Sequence, residues 1–196
     1  MNQFITHQIK ASIEVKQAIL ADAAMLAIIQ QSAAAAVKAY RNGRKLLLAG
    51  NGGSAGDAQH IAGEMVNRFR FDRPALPAIS LATDTSVLTA IGNDSSFEQV
   101  FARQVEALGA AGDVFIGIST SGKSPNIIRA LQACKTKKII RVGFTGQGGG
   151  EMAAYCDYCL VVPSRETPRI QEAHILAAHI FCALVEEEMF GKGFAT

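Results

Sequence analysis

The sequence predicts an α/β fold built on a doubly wound parallel sheet with helices on both faces. Short apolar runs typical of strands alternate with segments whose apolar residues recur every three or four positions, which is typical of helices. The strand-like runs are apolar at consecutive positions, as expected for parallel strands buried on both faces. In such a fold, ligands bind at the carboxyl ends of the strands, near the point where the strand order reverses.

The elements follow one another in a regular order. A long N-terminal helical segment covers residues 9–42 and ends at a stop signal, Arg41-Asn42-Gly43. Its Ala-rich surface carries little charge, so we expect residues 1–43 to serve oligomerisation and residues 44–196 to form the α/β core. The predicted strands are 46–50, 76–81, 113–118, 139–144 and 158–162. The further predicted helices are 54–69, 97–108, 125–135 and 167–190, with a flexible glycine turn at 146–150.

Composition is that of an ordinary globular protein. Of 196 residues, 49% are hydrophobic and 18% charged, and a net charge of +2 does not suggest a nucleic-acid-binding surface. No apolar run approaches the roughly 18 residues that span a bilayer, and the N-terminus lacks a signal-peptide pattern. We therefore expect a cytoplasmic protein with no nucleic-acid or membrane partner. Cys156 and Cys159 form a lone CxxC pair, and we interpret the cysteines as buried thiols rather than a redox or zinc site.

A glycine loop, residues 50–55 (GNGGSA), lies between a predicted strand and a predicted helix. It matches the G-x-G-x-x-[GA] pattern of dinucleotide sites, but such sites also place an acid about 20 residues further on. Here the first acid at the end of a second strand is Asp84, 34 positions after Gly50. Two other interpretations stay open: a simple tight turn, and a loop whose backbone N–H groups bind an anionic or polyhydroxyl ligand.

A serine loop, residues 119–125 (STSGKSP), follows another strand-like run and opens a helix. Backbone N–H groups at a helix start lack helical partners, so hydroxyls gathered there form a phosphate cradle. The alternative is that Ser124 caps the helix while the other hydroxyls are solvated. A cap needs one hydroxyl and the loop has four, which favours phosphate binding.

His60 and Glu64 are four residues apart on the predicted helix after the glycine loop, so both side chains share one face. The pair could bind a metal, or the glutamate could act as a general base beside the imidazole. The alternative is a surface pair worth roughly 0.2–0.5 kcal/mol. Closeness to the glycine loop argues against that alternative.

The last predicted helix carries three further candidates. His174 and His179 are about 140° apart around the axis and face different ways. Gln171 and His179 are within about 80° of each other but about 12 Å apart along the axis. If one metal ion took both, either a second subunit would supply one of them or Gln171 would reach far. A lone helical histidine is also commonly a core or surface residue. Asn93 and Asp94 are interpreted as a polar turn before the next helix.

Taken together, these residues resemble the SIS (sugar isomerase) domain and, within it, the phosphoheptose isomerase family. The resemblance runs in order through AGNGGSAGDAQH, LTAIGND, GDVFIGISTSGKSPN and RIQE with the two histidines that follow. It implies one flavodoxin-like SIS domain over residues 1–196 and a homotetramer with active sites between subunits. It also implies aldose–ketose isomerisation of sedoheptulose 7-phosphate, the first step toward the heptose of lipopolysaccharide or other surface glycans.

Position by position, the resemblance implies a role for each candidate. Glu64 and His179 are the implied acid–base pair, which exchanges a proton between C1 and C2 through a cis-enediol. Zinc is the implied cofactor, one ion per subunit. The implied zinc ligands are His60, Glu64, Gln171 and His179. The implied substrate contacts are Asn51, Gly52, Gly53, Ser54, Glu64, Asn93, Asp94, Ser119, Thr120, Ser121, Ser124 and Gln171.

A rival of a different class exists within the same family. It is the tetrameric DnaA-initiator-associating protein, a non-catalytic relative that binds the bacterial replication initiator. That relative lacks the acid–base residues at the positions of Glu64 and His179. Because both are present here, the sequence favours the isomerase.

Overall fold

The computed structural model describes residues 2–191, which form seven α-helices and five β-strands. The helices are α1 (Asn2–Ala21), α2 (Ala23–Arg41), α3 (Gly53–Val66), α4 (Thr85–Asp94), α5 (Ala102–Leu108), α6 (Pro125–Thr136) and α7 (Thr167–Phe190). The strands are β1 (Leu46–Gly50), β2 (Ala78–Ser80), β3 (Val114–Ser119), β4 (Ile140–Thr145) and β5 (Tyr158–Val161). Two short 3-10 helices cover Phe97–Gln99 and Met152–Tyr155.

The five strands form one parallel sheet with the order β2-β1-β3-β4-β5. The chain runs outward from β1 to β2 and then crosses back to β3, so the order reverses between β1 and β3. This confirms the predicted doubly wound fold. It also places the expected ligand site beyond the carboxyl ends of β1 and β3.

The two central strands, β1 and β3, are buried on both faces, as the continuous apolar runs predicted. Along β1, Leu46 and Leu48 pack into a cluster with residues of α2, α3 and α7. Leu47 and Ala49 pack into a second cluster with residues of α5 and α6. All four are 0% exposed. Strand side chains alternate between faces, so a strand covered on both sides needs apolar residues at every position.

The predicted helix 9–42 is wrong in its extent, because the segment forms two helices bent by 79°. Asp22 separates them. Its backbone is extended, and its Oδ1 accepts hydrogen bonds from the backbone N–H groups of Ala24 (2.9 Å) and Met25 (3.2 Å), so it is the N-cap of α2. Such a cap stabilises a helix start by about 1 kcal/mol. A single aspartate leaves the helical periodicity of an Ala-rich segment intact, so the pattern did not reveal the break.

Three smaller predictions are also corrected. Residues 91–94, predicted as a turn, form the end of α4, whose start is capped by the carboxylate of Asp84. The predicted helix 97–108 is interrupted, because a 3-10 turn precedes α5. The predicted helix 54–69 begins one residue earlier, at Gly53, and ends at Val66, so Phe69 lies outside it; Gly52, with a φ of +55°, occupies the N-cap.

Helix α1 has an apolar face that the described chain leaves uncovered. Phe4, Ile5, Ile9 and Ile13 are between 48% and 68% exposed. Exposed apolar faces of this kind are typical of contact surfaces between proteins. Within residues 2–191, no single helix is long and apolar enough to cross a membrane, although α1 and α2 taken together would pass by length and composition.

Candidate active site

The glycine loop and the serine loop lie side by side because β1 and β3 are neighbours in the sheet. Two amide side chains bridge them. Asn51 Nδ2 donates to Asn126 Oδ1 at 3.0 Å, and Asn126 Nδ2 donates to Asn51 Oδ1 at 2.9 Å. The pair fixes the spacing between the loops, so the N-termini of α3 and α6 begin close together. The sequence analysis did not predict Asn126. The signal that could have indicated it is an amide side chain directly after Pro125, the proline that begins α6.

The hydroxyls of the serine loop bond to one another and to the loop backbone. Ser119 Oγ and Ser124 Oγ are 2.8 Å apart, and Ser121 Oγ accepts a bond from the backbone N–H two residues on, at 3.2 Å. Ser124 occupies the N-cap of α6, yet its side chain makes no capping bond, so helix capping does not explain it. Gly122 has a φ of +63°, and a Cβ there would lie 2.2 Å from Gly149 O, so the turn requires glycine.

His60, Glu64 and His179 come together between α3 and α7. His60 Nε2 lies 2.9 Å from His179 Nε2 and 3.3 Å from Glu64 Oε1. The two imidazole rings meet edge to face, with centroids 5.1 Å apart. The side chains of His60 and Glu64 are 46% and 22% exposed, so the group lies at the surface of the single chain rather than in its core. The predicted pair on α3 therefore has a third partner from the far end of the sequence.

Asp57 lies one turn before His60 on α3 and is half-buried. Its Oδ2 has no hydrogen-bond partner within residues 2–191. Burial raises the pKa of Asp57, while the charge of a protonated His60 acts in the opposite direction. The candidate site thus holds a second carboxyl group, whose pKa lies above its ordinary value.

Phe69 covers one side of His179. The two rings are stacked, with centroids 5.5 Å apart and planes inclined by 23°. Packing of this kind restricts the orientation of the imidazole. Phe69 was not predicted, because it lies beyond the end of α3 in an irregular segment whose spacing gives no relation to α7.

Gln171 lies apart from His179, as the helix geometry predicted. Its side chain packs on Gly53, where a Cβ would lie 2.5 Å from Gln171 Nε2. Gly53 begins α3, about 10 Å along that helix from His60. Among residues 2–191, no group of three or more His, Cys, Asp or Glu side chains is arranged to hold a metal ion. In one chain, the four predicted zinc ligands therefore occupy two separate places.

His174 faces the core, away from His179, as predicted. It is 0% exposed, and its Nε2 lies 3.2 Å from Thr145 O. Since a carbonyl only accepts, this nitrogen carries the proton. Burial lowers the pKa of His174 to about 4, and the bond to Thr145 acts weakly in the other direction. His174 is a neutral core residue beneath the loop that follows β4.

The remaining predicted residues differ in their burial. Ser54 is buried in the first turn of α3, and Thr120 is half-buried in the serine loop. Asn93 and Asp94 are exposed at the end of α4, where Asn93 Nδ2 donates to Asp94 Oδ1 at 2.8 Å.

The four cysteines are free thiols, of which Cys134 is buried and has its pKa raised by burial to about 12.

Comparison with known proteins identifies the family. The SIS domain family matches residues 9–146, more than two thirds of the chain. The chain belongs to the SIS domain family. Over its full length, this SIS domain protein is 62% identical to the phosphoheptose isomerase of Aneurinibacillus thermoaerophilus, covering 99% of that relative. It is 60% identical over 195 residues to phosphoheptose isomerase 2 of Campylobacter jejuni, covering 97% of it.

A solved structure agrees with the sequence comparison. The SIS domain chain superposes on the phosphoheptose isomerase of Neisseria gonorrhoeae with a TM-score of 0.89 and 42% identity. The match covers 95% of this chain and 98% of that one. The predicted resemblance and the predicted fold are both confirmed.

Proposed function

We propose that this SIS domain protein is a phosphoheptose isomerase, which converts sedoheptulose 7-phosphate to D-glycero-D-manno-heptose 7-phosphate. The observation that carries the proposal is the meeting of His60, Glu64 and His179 where α3, the helix that starts at the glycine loop, packs on α7. Relatives that are 60–62% identical over the whole chain bear this name. Exchange between ketose and aldose needs a base for a carbon-bound proton and a group that handles oxygen-bound protons, and the site offers both.

Glu64 is the proposed base. Its carboxylate takes a proton from C1 of the open-chain ketose and returns it to C2 on the same face of a cis-enediol. Meanwhile the C2 oxygen gains a proton and the C1 oxygen loses one, and His179 carries that proton between the two oxygens. The contact with His60 and the stack with Phe69 hold the His179 ring in place for this transfer.

The serine loop is the proposed phosphate site. The hydroxyls of Ser119, Thr120, Ser121 and Ser124 stand at the N-terminus of α6, where a helix favours an anion. Two observations support this: the Ser124 side chain is not used as a cap, and the loop turns at a position that requires glycine. On the neighbouring loop, residues 51–54 are proposed to contact the sugar hydroxyls, with Gln171, Asn93 and Asp94 at the edge of the site.

Zinc is the proposed cofactor, one ion per subunit. Imidazole and carboxylate are ligands that zinc prefers, and His60, Glu64 and His179 meet, although within residues 2–191 they are not arranged to hold an ion. Two nitrogens on a tetrahedral zinc stand about 3.3 Å apart, somewhat farther than the 2.9 Å between His60 and His179. The residue types therefore fit the ion, with His60, Glu64, His179 and Gln171 as its proposed ligands. When bound, zinc would polarise the oxygens of the substrate as a Lewis acid.

A homotetramer with sites between subunits is proposed as the working form, in the cytoplasm. The uncovered apolar face of α1 supports the assembly, and the exposed His60 supports a site that a second chain completes. A second chain would also explain how Gln171 could join His179 at one ion. The heptose is proposed to enter lipopolysaccharide core or capsule synthesis.

The test is turnover of sedoheptulose 7-phosphate by the purified protein, coupled to the kinase step that follows. Glu64→Gln and His179→Gln are each expected to lose at least about 100-fold, because positioned acid–base groups contribute that much or more. Glu188→Gln, at a residue whose side chain is 62% exposed, is the matched control and keeps full activity. A folded, zinc-loaded wild type without turnover would refute the isomerase, and binding to the replication initiator would then be measured.

A further inference from the structure

A buried ion pair joins the chain segment after α3 to helix α7. Arg73 Nε lies 3.1 Å from Glu186 Oε1, and the two side chains are 1% and 0% exposed. Arg73 belongs to the irregular segment after α3, and Glu186 belongs to α7. Burying two charges is costly, and such a pair persists only where further hydrogen bonds satisfy both groups.

Glu186 satisfies its carboxylate with the backbone of the segment after α3. Oε1 accepts the N–H of Phe69 at 2.8 Å, and Oε2 accepts the N–H of Arg70 at 2.7 Å. Glu186 is seven residues after His179, almost two full turns of helix, so the two side chains share one side of α7. The same side of α7 therefore carries His179 and binds the backbone of Phe69, whose ring stacks on His179.

Arg73 satisfies its guanidinium with the end of α3. Nη2 donates to Glu64 O at 2.7 Å, and Nη1 donates to Met65 O at 2.6 Å. The last carbonyls of a helix lack helical partners, so these bonds fix the terminal turn that carries Glu64. Through one ion pair, the backbone of Glu64 and the ring beside His179 are tied to the same point.

The geometry points to Arg73 and Glu186 as positioning residues that set the separation of Glu64 and His179. This inference rests on the proposed function for its kinetic readout. Neither side chain touches the reacting atoms. They act on the backbone of Glu64 and of Phe69, and displacements of about 1 Å at a catalytic group can cost on the order of 100-fold in rate.

The chain offers a matched control at the opposite end of the sheet. Asp113 is also fully buried, and it too accepts two backbone N–H groups and one cation: Lys45 N at 3.1 Å, Ala110 N at 2.8 Å and Lys45 Nζ at 2.7 Å. It precedes β3, whereas the serine loop starts at the end of that strand, about 20 Å away. Asp113→Asn therefore alters a buried carboxylate with the same kinds of partners as Glu186, but far from the candidate site.

The experiment measures kcat, KM and melting temperature for Glu186→Gln, Arg73→Lys and Asp113→Asn. We expect all three to lower the melting temperature. Glu186→Gln and Arg73→Lys should also lower kcat by about 10- to 100-fold with little change in KM, whereas Asp113→Asn keeps kcat within about 3-fold. The inference is overturned if the folded Glu186→Gln and Arg73→Lys variants keep kcat, or if Asp113→Asn loses as much.

A second readout does not depend on turnover. In protein labelled at histidine, the ring protons of His179 sense the stacked ring of Phe69. Their chemical shift should move in Glu186→Gln and Arg73→Lys but stay in Asp113→Asn. An unchanged shift in both site variants would overturn the positioning role. If the shift moves in both site variants while the wild type has no isomerase activity, the positioning role stands and only the proposed function is refuted. If Glu186→Gln does not fold, Arg73→Lys, which keeps the charge, carries the test.

Discussion

Acid should destabilise the protein through His174. In the unfolded chain this histidine has the ordinary pKa of 6.5, whereas burial lowers its pKa in the folded protein to about 4. Between the two pKa values, His174 is protonated in the unfolded state but not in the folded state. The free energy of unfolding therefore falls as the pH falls. At about 1.4 kcal/mol per pH unit, this one residue removes about 3 kcal/mol between pH 7 and pH 4. That is a sizeable part of the 5–15 kcal/mol typical of a domain, so the effect is measurable.

The assay is urea unfolding at fixed protein concentration, from pH 7 to pH 4, for wild type and His174→Gln. Glutamine keeps an N–H donor that can reach Thr145 O but cannot be protonated in this range. The variant is less stable at pH 7 because it packs less well. Between pH 7 and pH 4, however, its free energy of unfolding should fall by about 3 kcal/mol less than that of wild type. His7→Gln, on the exposed part of α1, is the control and follows wild type. Parallel losses in wild type and His174→Gln would refute the reasoning.

Three further outcomes are expected. Gly53→Ala should lower turnover by at least about 10-fold, because its Cβ would lie 2.5 Å from Gln171 Nε2; Gly56→Ala, where a Cβ meets nothing within 4 Å, keeps activity, and equal activity in the two variants would contradict the contact. Ser124→Ala should raise KM for the sugar phosphate by about 10-fold or more with a smaller effect on kcat, since a hydrogen bond to a charged group contributes about 1.5–3 kcal/mol; an unchanged KM would exclude the serine loop as the phosphate site. Ile9→Glu should reduce the oligomer mass measured by light scattering, because it places a charge on the uncovered face of α1; an unchanged mass would exclude that face from the interface.

The fold was largely predictable because it depends on local patterns. The strand 46–50 and the helix 167–190 were predicted with their observed bounds, and the other strands shifted or shortened by a few residues. These elements carry strong apolar periodicity and ordinary stop signals. The break at Asp22 was missed because one cap residue leaves that periodicity unchanged. The helical end at Asn93 and Asp94 was missed because turn-favouring residues are also common at helix ends.

The site was predictable only within each element. Spacing alone placed His60 and Glu64 on one face and separated Gln171, His174 and His179 along α7. It could not say which helix faces which, and therefore could not predict the contact between His60 and His179, which are 119 residues apart. The ion pair of Arg73 and Glu186 spans 113 residues and was missed for the same reason. Long-range pairs of this kind follow from the packing of the whole chain.

Helix α7 fixes the relative positions of several residues in and around the candidate site. One continuous helix of 24 residues carries Gln171 near the glycine loop, His174 in the core, His179 beside His60 and Glu186 in the ion pair. Inserting or deleting one residue between any two of them rotates everything beyond by about 100° and shifts it by 1.5 Å. Length changes here would disconnect several contacts at once. Variation among functional descendants of this chain should therefore enter α7 by substitution and leave its length constant.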